Sequence, residues 1–441
     1  MPARLRIREL AVWANDLRVG TWRWPSRGAI EFLYDESWIA APEARPLSLS
    51  LPLTLYRVPH RGGAVEAYFD NLLPDSEAIR RRLQDRYLAA SRGPFDLLAA
   101  IGRDCVGAVQ ILPVDEKPSE SHGIVARPLS EKAVAAELAG VTSPAAAGVD
   151  SDFRISIAGA QEKTAFLRHN GRWCRPSGST PTSHIFKLPL GLVGNRQADM
   201  TTSVENEWLC ARIVAAYGIP VASCAIERFG THKVLTVERF DRKLHSSGKY
   251  WLRLMQEDFC QATGTPHTRK YQADGGPGLA EISHVLRGST NSQRDLEILF
   301  RSQLLFWMLA ATDGHAKNFS IRLMPGGQFQ LTPLYDVLSA WPVIGRRSNE
   351  ISIEKVKLAM ALPGGRPRYL LQTIQRRHFL ELGKRLGLGE NTGSFIDDMA
   401  ARTASVIDSI QSNLPREFPQ PLLDRILAGL KRQTEKLAEK S

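Results

Sequence analysis

The sequence predicts an α+β chain with a β-rich N-terminal lobe followed by a mostly α-helical C-terminal lobe. Short segments of alternating apolar and polar residues, rich in aromatic and β-branched side chains, crowd the first 40 residues and recur between Phe153 and Asp241. That period of two is the strand signature. From about residue 256 onward the apolar positions recur mostly at helical spacing, interrupted at the opening stretch and at FQLTPLYDV. At 441 residues the chain also exceeds one comfortable core, so two or three lobes are expected.

In chain order, the first strands read ELAVWAN, VGTWRW and AIEFLYD, with a polar turn at Asp16. In NLLPDSEAIRRRLQDRYLAA, Asp75 or Ser76 caps a helix whose first turn carries Glu77. FDLLAAIGRD is a second helix and VGAVQILPV returns to strand, closing a first domain at residues 1–115. The Pro-, Ser- and charge-rich stretch at 113–128 marks a boundary, and AAELAGVTSPAAAGVDSD reads as a helix followed by a small-residue linker. A second unit, residues 150–255, alternates through Phe153, Ile155 and Ile157, resumes at Thr164 and turns at Asn170-Gly171, a hairpin pair. HIFKLPL is a further strand with Lys187 in its middle. SVENEWLCARIVAAYG is a helix stopped by Gly218 and Pro220, and IPVASCAIERF and HKVLTVERFD add two strands. Residues 256–437 form the helical lobe.

Hydrophobic residues make up 43% and charged residues 23% of the chain, a globular composition. The longest apolar run, Leu304 to Ala311, falls far short of the roughly 20 residues a bilayer span needs and reads as buried helix. No secretion signal is readable in MPARLRIRELAVW, and no membrane partner is expected. Five widely spaced cysteines, none in a C-x-x-C pair, argue against a disulfide framework or zinc knuckle and fit a reducing cytoplasm. The formal charge of +11 suits an acidic partner, either nucleic acid or an acidic protein surface, or serves solubility alone. Residues 341–441 hold 17 Lys/Arg against 11 Asp/Glu. There Arg377 and Lys384, seven apart, share one helix face, which is either solvated surface or a dock for phosphate backbone or an acidic partner.

The chemistry-bearing residues begin with AGAQEKT, which comprises Ala158, Gly159, Ala160, Gln161, Glu162, Lys163 and Thr164. It ends like a phosphate-binding P-loop but fails that pattern, having one glycine and a strand, not a helix, beyond it. It is either an ordinary hairpin or the strand-loop-strand that covers ATP phosphates with backbone N–H groups, Gly159 permitting the close approach. Lys187, flanked by Ile185, Phe186 and Leu188, either points to solvent or meets an anion. In the second case a glutamate on the following helix holds it, as in protein kinases. Glu207, bordering the stripe Val204, Trp208 and Ala211, is preferred over its competitor Glu205. Glu238, Arg239 and Phe240 lie where two lobes would join. They either offer adenine a backbone donor and acceptor, with Phe240 against the ring, or form a plain strand exit.

The stretch ATDGHAKNFS follows the apolar run LLFWMLAA and is either a helix-to-loop exit or the catalytic floor of a phosphotransferase. Phosphoryl transfer needs a carboxylate near the attacking hydroxyl and oxygen ligands for Mg²⁺. Asp313 and Asn318 have the D-x-x-x-x-N spacing of a kinase catalytic loop, and Asp336 follows eighteen residues after Asn318. The full ordered series of loop, strand lysine, helix glutamate, linker, D-x-x-x-x-N and late aspartate favours the phosphotransferase.

DFRISIAGAQEKTAFL, SHIFKLPL, VERFDR, QEDFCQ, DGGPG, ATDGHAKNFS and LTPLYDVLSA together resemble the serine/threonine kinase toxins of the HipA family, and FDNLLPDS with GRDCVGAV resembles that family's N-terminal region. The resemblance implies a bilobal protein-kinase-like fold, use of ATP with Mg²⁺, and pairing with a HipB-like antitoxin that binds operator DNA. It also implies phosphorylation of a protein target, glutamyl-tRNA synthetase in the best-known member, with growth arrest and persistence. Carried over by motif, Asp313 is the catalytic base, Asn318 and Asp336 are the Mg²⁺ ligands and Lys187 is a phosphate contact. His315 and Lys317 line the nucleotide site beneath the loop Ala158 to Lys163. Ser156 matches a serine that the family autophosphorylates, with self-inactivation as the consequence. Lys384 matches the first residue of a basic pair that touches operator DNA, while Gly387 stands at the second. Read on the residues alone, a small-molecule phosphotransferase or a non-catalytic corepressor remains the alternative.

Overall fold

The computed structural model describes residues 8–54, 57–119, 123–142 and 156–438. In the N-terminal domain the strands run in the order His60–Arg61, Glu31–Tyr34, Leu17–Trp24, Arg8–Ala14, Val109–Pro113, all antiparallel. Trp22 stacks on Phe69 of the helix Gly63–Asp70 at 3.9 Å, which fixes that helix against the sheet. Of the two candidate caps, Ser76 caps the helix Glu77–Tyr87, its hydroxyl accepting from the Ile79 N–H. Asp75 is thereby free for another role.

The small lobe is a six-stranded antiparallel sheet in the order Cys224–Phe229, His232–Glu238, His184–Lys187, Lys163–His169, Arg172–Pro176, Ala126–Pro128. Asn170 and Gly171 take φ of 49° and 74°, the left-handed pair that a two-residue hairpin turn requires. The sheet reaches back to Ala126, ahead of the expected start at residue 150. The helix Glu131–Thr142 covers its outer face, packing Val134 and Leu138 against Phe166 and Phe186 in a small separate core. The expected linker, Phe153 and Ile155 lie outside the described residues, and Ile157 is in loop, not strand. Lys187 ends its strand and does not centre it, because Pro189 has no N–H to continue the ladder.

The large lobe packs the helices Leu279–Leu286, Arg376–Leu386, Asn391–Ser412 and Gln420–Ala438 around Ser292–Leu309, whose residues Leu304 to Leu309 are all buried. It departs from the helical expectation at KLAMAL, the strand Lys357–Leu362, which pairs with Arg368–Leu370. A three-stranded sheet of Gln256–Asp258, Ser320–Leu323 and Phe329–Leu331 underlies the loop between Leu309 and Ser320. One continuous hydrophobic core runs from the N-terminal sheet through the helix Ser203–Ala216 into the large lobe. Among the described residues no helix is long and apolar enough to cross a membrane, and all five cysteines are free.

Candidate functional site

The helix Ser203–Ala216 and the strand His184–Lys187 bring Glu207 and Lys187 together, with Lys187 Nζ donating to Glu207 Oε1 at 2.6 Å. The same ammonium donates to Asp336 Oδ1 at 2.7 Å, so the late aspartate reaches the strand lysine directly. Burial pulls the Lys187 ammonium down, but the two carboxylates more than offset it and hold its pKa above the ordinary lysine value. Burial also disfavours ionised Asp336, yet Lys187 and Lys163 bring its carboxyl down to about 2. Asp336 has φ of 60°, a left-handed backbone that L residues seldom adopt. Asn206 clamps this segment by two bonds to Ser339, its amide donating to the carbonyl at 2.8 Å and its oxygen accepting from the N–H at 2.9 Å. Glu205, the competitor of Glu207, pairs instead with Lys233.

The catalytic-loop candidate begins where Ala310, at φ 48°, ends the long helix. Gly314 is required by space: a Cβ there would lie 2.4 Å from the Phe306 ring. Asn318 Nδ2 donates to the Asp313 carbonyl at 2.6 Å and ties the two ends of D-x-x-x-x-N together. The Asp313 carboxylate is exposed and accepts from the Tyr271 hydroxyl, with His315 Nε2 at 3.7 Å. Burial holds His315 below the ordinary imidazole value, and its Nδ1 is buried without a partner. Lys317 is buried and points toward the N-terminal domain. Its Nζ lies 2.7 Å from Asn71 Oδ1, 3.3 Å from Asp75 Oδ1 and 3.6 Å from Asp258 Oδ2. Asp258 and Asp75 outweigh burial and raise its pKa.

The loop Ala158 to Lys163 is held on both sides. Lys163 Nζ donates to the Ala158 carbonyl at 2.6 Å, and burial followed by the charge of Lys187 lowers its pKa to about 8. Gln161 Nε2 donates to the Leu188 carbonyl at 2.5 Å. The Asp75 N–H donates to the Gly159 carbonyl at 3.0 Å, and Glu162 pairs with Arg82 of the N-terminal domain. Ala160 lines the cavity that this loop covers. Ser156 is buried at 1% exposure, its hydroxyl donating to the Leu72 carbonyl at 2.8 Å.

Where the lobes join, the Glu238 and Arg239 amides already donate to the carbonyls of Ser223 and Ser183. The Arg239 guanidinium turns into a buried network with Asp241, Asp104 and Thr182. Arg239 is therefore a structural anchor there. Phe240 borders the cavity and packs on Tyr335, with ring centroids 5.7 Å apart. Lys384 is exposed in the last turn of the helix Arg376–Leu386, and Gly387 ends that helix at φ 78°, which accounts for a glycine at that position.

A single cavity is lined by the loop, Lys187, Phe240, Asp313, Asn318 and Asp336. The sequence reading missed Asn71, Asp258 and Tyr271 and took Asp75 only as a helix-cap candidate; Asn71, Asp75 and Asp258 lay inside the quoted blocks FDNLLPDS and QEDFCQ without an assigned site role. Among the described residues no cluster of three His, Cys, Asp or Glu side chains forms a metal cage. Asn318 and Asp336 nonetheless fit Mg²⁺, which takes one or two protein oxygens and completes its shell with phosphate and water. The unpartnered His315 Nδ1 in the cavity wall likewise fits a polar ligand.

Two lobes, a strand lysine bonded to a helix glutamate, and a late aspartate on the same lysine define a protein-kinase-like fold. The HipA N-terminal domain model matches residues 10–112 and the HipA-like C-terminal domain model matches residues 155–407. A putative kinase, Y4mE of Sinorhizobium fredii, is 33% identical over 76% of this chain and 78% of its own length. The serine/threonine-protein kinase toxin HipA of Shewanella oneidensis is 28% identical over 67% of this chain and 66% of its own. The fold is similar to that of HipA in the solved complex of Shewanella oneidensis HipA, HipB and operator DNA, with a TM-score of 0.77 and 21% identity over 97% of each chain. The chain belongs to the HipA family, the kinase toxins of toxin–antitoxin systems.

Proposed function

We propose that this protein transfers the γ-phosphoryl group of ATP to a serine or threonine of a protein target, arresting growth until an antitoxin neutralises it. The observation that carries this reading is the joined set Glu207–Lys187–Asp336 facing Asp313–Asn318 across one cavity. Asp313 orients the acceptor hydroxyl and takes its proton. Lys187, held by Glu207, neutralises charge on the phosphates, while Gly159 and the loop backbone cover them. Asn318 and Asp336 hold Mg²⁺, which when bound supplies charge neutralisation at the transferring phosphoryl group. With the Glu238 and Arg239 amides occupied, the Glu238 carbonyl and the Phe240 amide serve adenine. His315 and Lys317 form the floor of the nucleotide site.

Autophosphorylation at Ser156 belongs to the same reading. Its hydroxyl is buried on the Leu72 carbonyl, so the loop must leave to present it, and a dianionic phosphate has no place to return to. The exposed basic face with Arg377 and Lys384 supports a partner complex on DNA, as does the assembly of the Shewanella protein with HipB and operator DNA. The target is a protein in the manner of glutamyl-tRNA synthetase, and the site of action is the cytoplasm.

Phosphoproteomics after inducing the wild type and Asp313→Gln tests the kinase reading. New serine or threonine phosphosites are expected with the wild type alone, and an identical set in both would sink it. For Ser156, the Ser156→Ala protein is expected to keep its activity during preincubation with ATP while the wild type decays.

A further inference from the structure

A second groove, with a volume of about 400 Å³, opens on the large lobe beside the candidate site. Where it meets solvent its apolar lining is Ala280, Pro363 and Pro367, laid over the buried Leu279, Leu362, Leu382 and Leu386. Its rim is cationic, with Arg287, Arg366 and Arg385. Arg385 pairs with Glu381 at 3.0 Å, and Arg287 Nη2 donates to the uncharged Arg385 carbonyl at 2.7 Å. Among the described residues neither Arg287 nor Arg366 has a carboxylate partner. Behind them Arg368, whose Cγ lies 3.4 Å from the position a Cβ on Gly364 would take, buries its Nε without a hydrogen bond.

The groove is joined to the reaction site through one side chain. Tyr271 donates its hydroxyl to Asp313, and the next residue, Gln272, lines the groove, its Oε1 accepting from the Ala361 N–H at 2.7 Å. The path from Asp313 to the groove thus runs through two consecutive residues, Tyr271 and Gln272. An extended acceptor chain, advancing about 3.3 Å per residue, covers that within a few residues.

We propose that this groove docks an acidic segment of the protein substrate, with glutamates or aspartates on Arg287 and Arg366 and one apolar side chain against Ala280, Pro363 and Pro367. The proposal rests on the kinase reading above and adds a substrate class to it. An apolar floor under an unneutralised arginine rim suits a peptide that carries both kinds of side chain. A phosphodiester backbone would leave Ala280, Pro363 and Pro367 without an apolar occupant.

The test uses fluorescein-labelled serine peptides that carry one leucine and are flanked by glutamates, glutamines or lysines. Binding to the full chain is read by anisotropy and phosphoryl transfer is read with labelled ATP. The glutamate peptide is expected to bind about tenfold more tightly than the glutamine one. That preference should vanish in Arg287→Glu/Arg366→Glu and weaken in Arg287→Gln/Arg366→Gln, with peptide-independent ATP turnover and melting unchanged. Equal binding of the glutamate and glutamine peptides overturns the proposal. So does a double variant that keeps the peptide preference and instead loses duplex-DNA binding. Selective binding with no transfer to any peptide upholds the groove and removes the kinase reading, whereas equal transfer to all three does the reverse.

Discussion

Lys187 Nζ and Glu207 Oε1 lie 2.6 Å apart, both side chains almost wholly buried. Breaking a buried pair typically costs about 3–5 kcal/mol, because one charge is left uncompensated. Here the survivor has an escape: burial already pushes the Glu207 carboxyl up to about 7, so it takes a proton when the cation is removed. Lys187→Met is therefore expected to fold with a modest loss of melting temperature. ATP turnover should fall by about two orders of magnitude or more, since the phosphates lose their buried cation. Melting and phosphate release measured on one preparation check both halves, and turnover near the wild-type value would contradict the assignment.

The hydroxyl of Tyr271 holds one oxygen of Asp313, and its ring meets His315 edge-on at 4.9 Å. Asp313 is otherwise open to water, with a side chain 56% exposed, so this bond sets where the carboxylate points. Tyr271→Phe keeps the ring and removes the tether. Turnover should drop about tenfold through misorientation of the carboxylate, while KM for ATP stays within about twofold. A variant that loses ATP affinity and keeps its kcat would show that Tyr271 serves the nucleotide instead.

What the sequence disclosed and what it hid follow from how local each signal was. Asn170-Gly171, Lys187 and D-x-x-x-x-N are legible because turn chemistry, strand context and short spacing are written in adjacent residues. Lys317 was placed at the site, but its partner Asn71 lies 246 residues earlier, and no periodicity links such positions. The strand Lys357–Leu362 was passed over because five of its six residues are buried, which leaves no alternation to read. Arg239 looked like a hinge contact because the sequence does not reveal Asp104, 135 residues away, as its partner.

Asp104 gathers three buried guanidinium groups: Arg242 Nη2 at 2.9 Å, Arg239 Nη1 at 3.3 Å and Arg253 Nε at 3.3 Å. Its own N-terminal domain is thereby locked to the segment that joins the lobes. Burial opposes the ionised carboxyl, but Arg242, Arg239 and Arg253 hold it well below the usual range. Asp104→Asn leaves Arg239 and Arg242 to share Asp241 and takes the carboxylate partner from Arg253, and should cost about 3–5 kcal/mol at neutral pH. A depressed folded-state pKa contributes stability above the unfolded value, about 3.9, and loses it as pH falls. The gap between wild type and variant should thus narrow below about pH 4. Urea titrations at pH 7 and pH 3.5 check this, and a pH-independent gap would assign the loss to packing alone.

Glu257 shows the opposite sign. It is fully buried, with Oε1 accepting from the Leu49 N–H at 2.8 Å and Oε2 left without a partner. Burial raises its carboxyl from 4.5 to about 8, against the lowering effect of the nearby Ser48 hydroxyl and the Leu49 N–H. A raised folded-state value means that the stabilising contribution is whole below the unfolded pKa and is lost as pH rises through the folded one. Glu257→Gln keeps the acceptor for Leu49 and cannot ionise. Its melting temperature should pull ahead of the wild type as pH climbs above 4.5, and the lead should stop growing above about 8. Scans of both proteins from acid to alkaline pH check the course, and parallel curves throughout would show that Glu257 is already ionised in the folded protein at neutral pH.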